Sequence, residues 1–139
     1  MSDAIFLIDD TDFQIDTDES SFDVDLSDPG NPLLTIEIRG KQCVHDQISE
    51  DDASPWSWAL YAPHFYLREF PAKPTTDKSQ YLATATLDDI DDYELAIYMM
   101  EHSDIDDVQI SVQPNKSLDI TGRVDLFGNE HTFAIRWQK

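Results

Sequence analysis

Four aspartates, Asp88, Asp89, Asp91 and Asp92, stand just before an apolar segment, and three more, Asp104, Asp106 and Asp107, stand just after it. Carboxylates grouped this way have two uses. They attract a cationic surface, or they supply the six to eight hard oxygen ligands that calcium takes. As a docking face they would steer Lys and Arg of another protein, acting on encounter rate more than on affinity, because exposed charges beyond ~10 Å are largely screened in physiological salt. As calcium ligands, Asp104-Ile105-Asp106-Asp107 and Asp16-Thr17-Asp18 have workable spacing. Neither carries the glycine and terminal Glu of an EF-hand loop. Plain solvation is the ordinary role for such groups and stays beside both readings. If the segment between the clusters is one strand or one helix, they lie at its opposite ends, about 20 Å apart for a helix.

Other chemistry has less support. Cys43-Val44-His45 would set a thiol and an imidazole on one side of a strand, but no second cysteine completes a zinc set, and His45, His64, His102 and His131 are scattered. Nucleophile elbows, phosphate-cradling loops and dinucleotide fingerprints are absent from a sequence with 4 glycines. With 29 acidic residues, carboxylate pairs at hydrolase-like separations arise by chance and carry no information. The expectation is a non-enzymatic protein without metal or organic cofactor. Aromatics crowd one stretch, Trp56, Trp58, Tyr61, Phe65, Tyr66 and Phe70. A β core needs most of them, while Trp56 or Tyr66, if exposed beside acids, has the character of an interface hot spot.

The charge distribution sharpens the partner question. No Lys or Arg precedes Arg39 and none lies between Lys78 and Lys116, yet those two gaps hold 20 of the 29 acids. The net charge of -20 argues against nucleic acid and anionic membranes, both of which reward Lys and Arg. The expected partner is a basic protein, met by Asp88, Asp89, Asp91, Asp92, Asp104, Asp106 and Asp107 for steering and by Trp56 and Tyr66 for contact area. Size and charge are comparable to those of small acidic immunity proteins that neutralise bacterial toxins, which makes an inhibitor role the leading expectation. A calcium-binding β module and a structural or salt-adapted protein without a specific partner are the alternatives. One cysteine, no secretory leader pattern and no apolar run near ~18 residues place the chain in the cytoplasm.

These residues must be positioned by strands. Leu118, Ile120, Gly122, Val124 and Leu126 alternate with polar residues, as do Val108, Ile110 and Val112 before them and Phe133, Ile135 and Trp137 after them. With turn residues at 114–117 and 128–129, this spacing predicts a three-stranded antiparallel meander. Phe22, Val24 and Leu26 alternate with Asp23 and Asp25, which suits an edge strand. Leu34, Ile36 and Ile38 form the next strand, after the turn signal at 28–32. Ala4–Ile8, Phe13–Ile15, Trp56–Leu60, Phe65–Phe70 and Tyr81–Leu87 complete the strand set, Phe65–Phe70 being apolar on both parities as in a doubly covered or bulged strand. Residues 71–79 and 42–55 read as loops. The segment 89–101 fits either helix or strand spacing, with strand favoured by its surroundings. The prediction is one domain over residues 1–139: an antiparallel β-sandwich or open β-barrel of eight to ten strands with meander connections and room for one short helix near 89–101.

Overall fold

The computed structural model describes residues 3–9, 11–28, 30–40, 62–76, 79–89, 95–99, 101–126 and 128–139. Within them lie twelve strands, one 3-10 turn and no α-helix. Strands β1 (Asp3–Ile8), β2 (Thr11–Asp12), β6 (Lys73–Pro74), β7 (Tyr81–Ala85), β10 (Ile105–Gln113), β11 (Ser117–Leu126) and β12 (Asn129–Gln138) form one sheet in the order β2-β1-β12-β11-β10-β7-β6. Strands β3 (Ser21–Asp25), β4 (Leu33–Arg39), β5 (His64–Pro71), β8 (Ala96–Met99) and β9 (Glu101–Ser103) form a second in chain order. Every pairing is antiparallel and neither sheet closes on itself. The architecture is therefore a mainly-β sandwich rather than a barrel.

Period-2 burial explains why these residues become strands. β3 alternates exposed and buried along its length, as does β7, so each presents one apolar face. The inward residues of both sheets belong to one core, including Phe6 and Ile8 of β1, Ile36 and Ile38 of β4, Phe65 of β5 and Ile120 of β11. Each such Phe, Ile or Leu contributes roughly 1.5–3 kcal/mol of burial. Aromatic pairs join the sheets: Phe22 meets Trp137 edge-on at 5.3 Å, and Phe65 meets Phe133 at 6.0 Å. The Lys139 ammonium lies over both members of the first pair, 4.7 Å from Phe22 and 5.0 Å from Trp137.

The predicted meander β10-β11-β12 is present in full. Its turns use left-handed residues, Asn115 in the first and Gly128 in the second, where φ is 63° and 87°. β3 is an edge strand, and its Asp23 carboxylate accepts the Val24 amide at 2.9 Å. The turn after it is held by Asp28, which accepts the Gly30 amide at 3.1 Å. Some boundaries differ from the sequence pattern. The expected strand at Phe13–Ile15 reduces to one bridge between Ile15 and Gly40, and pairing falls instead on Thr11–Asp12. The expected loop 71–79 contains β6, which pairs Lys73 and Pro74 with Leu82 and Tyr81; proline is admissible there because β6 is an edge. β7 ends at Ala85, and a 3-10 turn spans Leu87–Asp89. The predicted loop 42–55 and strand Trp56–Leu60 lie outside the described residues.

Two strands carry an extra residue. In β5, Leu67 and Phe70 are both buried with Arg68 and Glu69 exposed between them, and Glu69 has φ 50°. In β10, Ile105 and Val108 are both buried with Asp106 and Asp107 outside, and Asp107 has φ 50°. The register against neighbouring strands shifts at both places, which identifies β-bulges. For β5 the double-parity apolar pattern is thus a bulge.

Gly122 shows how tightly the inner face is filled. A Cβ there would lie 2.8 Å from the Phe133 ring and 3.1 Å from Val108, both in the core. Gly122→Ala is expected to lower unfolding stability by about 1–3 kcal/mol, measured by denaturant titration, since the ring has nowhere to retreat. An unchanged midpoint would show that the Phe133 ring can yield to the added methyl group.

Candidate partner-binding surface

The two aspartate clusters are not at opposite ends of one element. β8 and β9, which lie between them in sequence, pair antiparallel, Met99 opposite Glu101 and Ile97 opposite Ser103. Asp104, at the exit of β9, borders the same cleft as Leu87 of the turn that bears Asp88 and Asp89. The clusters then touch through a hydrogen bond, the Leu87 amide donating to Asp106 Oδ1 at 2.8 Å. The strand assignment for 96–99 stands, and residues 90–94, with Asp91 and Asp92, lie outside the described residues.

The bulge in β10 shapes this site. Adjacent strand residues ordinarily point to opposite faces, but the extra residue turns both Asp106 and Asp107 outward, toward Arg123 on β11. The guanidinium reaches Asp106 Oδ2 at 3.4 Å, Asp107 Oδ2 more closely, and Glu130 of β12 at 3.4 Å. Asp107 and then Glu130 raise the Arg123 pKa further. The Asp106 carboxyl is held below the usual carboxylate range, first by the Leu87 amide, then by the Asp107 amide, with Arg123 adding its charge. A shallow open cleft of about 160 Å³ lies here, between Leu87, Asp104, Arg123 and Asp125. It is smaller than pockets that hold organic ligands, roughly 300–1,000 Å³.

The remaining carboxylates divide by role. Asp89 Oδ2 accepts the Thr86 amide at 2.7 Å and closes the 3-10 turn, and Asp125 Oδ1 accepts the Gly128 amide at 3.0 Å. Asp88 and Asp104 are exposed, and their carboxylates have no hydrogen bond or ion pair among the described residues. At the neighbouring end of β1, Asp9 Oδ2 meets His131 Nδ1 at 2.6 Å and Asp9 Oδ1 accepts the Thr132 amide at 3.1 Å. Partial burial opposes ionisation of Asp9, but His131 and the Thr132 donors outweigh it and hold the carboxyl low. The acidic end of the sheet therefore runs from the 3-10 turn across β10, β11 and β12 to β1. Cations gather at the opposite end, where the Lys139 amide donates to the Lys116 carbonyl at 2.8 Å.

Sequence reasoning named Asp88, Asp89, Asp104, Asp106 and Asp107 but missed Arg123, Glu130 and Asp125. The apolar spacing of three from Ile105 to Val108 was the available signal of the bulge. Clearing of cations along the sequence does not clear them in space, because β11 lays Arg123 among the acids. Tyr66 sits elsewhere, half-buried on the outer face of the five-stranded sheet, 5.5 Å from the His64 ring. Its partner Ala96 lies one step past the Ile97–Ser103 pair, so Tyr66 is two strand spacings, about 10 Å, from the exit of β9 at Asp104. Trp56 lies outside the described residues. The Asp16 loop is an Asx turn, Oδ1 accepting the Asp18 and Glu19 amides at 3.2 and 3.3 Å. Among the described residues no three His, Cys, Asp or Glu side chains are grouped to hold a metal ion.

Two outcomes are expected. Removing Arg123 as Arg123→Ala leaves Asp106, Asp107 and Glu130 facing one another, so melting temperature falls at low salt and recovers in high salt. Asp9 is depressed in the native state, so its contribution to stability is present above about pH 4 and is lost as pH falls through its lower native value. Other carboxylates repel one another and act with the opposite sign. The measurement is therefore a difference: the stability gap between wild type and Asp9→Asn should close on acidification, and a constant gap would deny that His131 and Thr132 stabilise the Asp9 carboxylate.

No protein-family model, curated protein or solved structure matches the chain.

Proposed function

We propose that the chain is a non-enzymatic binding protein that captures a basic protein partner at the acidic end of its larger sheet, in the manner of an inhibitor or immunity protein. One observation carries this reading. Strand register gathers Asp88, Asp89, Asp104, Asp106, Asp107, Asp125 and Glu130 from separate stretches of sequence at one end, with Arg123 as the single cation among them in the described residues. Such an edge produces a directional field that raises the encounter rate with a cationic surface.

The geometry also separates scaffold from contact. Asp89, Asp106 and Asp125 are engaged by backbone amides, and their loss disturbs the fold of the turns. Among the described residues, Asp88 and Asp104 have carboxylates outside any hydrogen bond or ion pair and are available to Lys or Arg of a partner. Tyr66, about 10 Å from Asp104 along the sheet, is positioned to add apolar contact area at the margin.

Capture from native lysate at low and high salt tests the reading. A basic protein retained at low salt, with association slowed roughly several-fold in Asp88→Asn/Asp104→Asn and melting unchanged, is the expected result. Retention of a neutral protein, or of a basic one indifferent to both substitutions, would refute it.

A further inference from the structure

We infer that the outer face of the seven-stranded sheet is the contact surface of a homodimer, a role distinct from the acidic-end function, whose carboxylates the dimer would partly cover. The face is built of two residue rows running across the strands. Register aligns Ile5, Arg136, Asp119, Ser111, Leu82 and Lys73 in one row, and Leu7, Ala134, Thr121, Gln109 and Thr84 in the next. The second row runs on from Leu7 to Asp12 of β2, so on a chain of net charge -20 these rows hold two carboxylates, Asp119 and Asp12, against Arg136 and Lys73. Asp119 is itself matched, lying 3.7 Å from Arg136 Nε.

This face is also accessible and apolar in part. Leu82 is 45% exposed, and beside it runs a shallow groove of about 420 Å³ floored by Leu82, Thr84, Gln109, Ser111, Asp119 and Thr121. Five strands at ~4.8 Å and two rows with their flanks offer about 500 Å² per copy. A pair of copies would bury about 1,000 Å², the lower bound for a specific interface, so the dimer is a weak one.

Charge complementarity selects a second copy as the occupant. Elsewhere two such chains repel, and a self-contact needs a surface where carboxylates are scarce. Along the strands the face grades from the end of Lys116, Gln113 and Gln138, where Asp3 of β1 is the one acid in register, to the end of Asp106, Asp107 and Glu130. A two-fold axis lying in the face and crossing the strands lays each acidic end over the other copy's Lys116 end. The contact is then isologous, with the charge-balanced rows at its centre.

Sedimentation equilibrium of the full chain at roughly 200 µM, a concentration set by the weak end of the interface range, reads the mass directly. The expected result is a dimer for wild type, a monomer for Thr121→Glu, which plants a carboxylate in the middle of the face, and a dimer for Ser21→Glu, which adds the same charge to the other sheet. If Thr121→Glu does not fold, as judged by melting, Gln109→Glu in the same row takes its place. A monomeric wild type, a dimer that survives the face substitution, or equal loss in both variants would overturn the inference.

Discussion

Two sheets are held together by apolar side chains delivered at every second residue, and this alternation governs where every charge can go. A strand that gives its odd positions to the core has only its even positions and its ends left for polar groups. For a chain with 29 acids the consequence is strong: carboxylates are pushed onto outer faces, turns and bulges, and their arrangement there follows from register. The acidic end of the larger sheet is the outcome of that constraint. It arises because β10, β11 and β12 place their acid-bearing ends side by side, and because the β8–β9 hairpin folds the chain back onto the same side.

Much of the fold was legible in the sequence. Where burial is one-sided and hairpins are short, as in β3, β4, β10, β11 and β12, the pattern specified strand, parity and neighbour together. The aspartates on β3 correctly indicated an edge. Misreadings cluster where a strand is too short to carry an alternation of its own. β2 and β6 are two residues each and exist only because β1 and β7 offer them hydrogen bonds. No local preference encodes that. The sequence that joins β8 to β9 carries neither glycine nor proline, so the segment looked like a single element.

The site was half legible for a related reason. Composition located Asp104, Asp106 and Asp107, but not that a bulge would turn two successive aspartates to one side, nor that Arg123, some 17 residues on, would stand opposite them. Sequence distance between charges is a poor guide in a meander, where each strand is antiparallel to its neighbour. The same geometry divides the carboxylates into those that tie down turns and those left free, a distinction no count of acids provides. Tyr66 illustrates the converse: near the aromatic cluster in sequence, it belongs to the other sheet and reaches the acids only through the exit of β9.

One pairing also has a bearing on the order of assembly. β1 takes its whole register from β12, with Asp3 opposite Gln138 and Ile8 opposite Phe133, so two segments more than a hundred residues apart must meet before the larger sheet is continuous. The hairpin of β3 and β4 and the meander of β10, β11 and β12 need no such meeting and close over short loops. During synthesis β1 cannot take its place until β12 has been made. Until then Phe6 and Ile8 have no interior to enter, and the nascent chain carries an apolar ribbon whose immediate neighbours, Asp9 and Asp12, help keep it in solution.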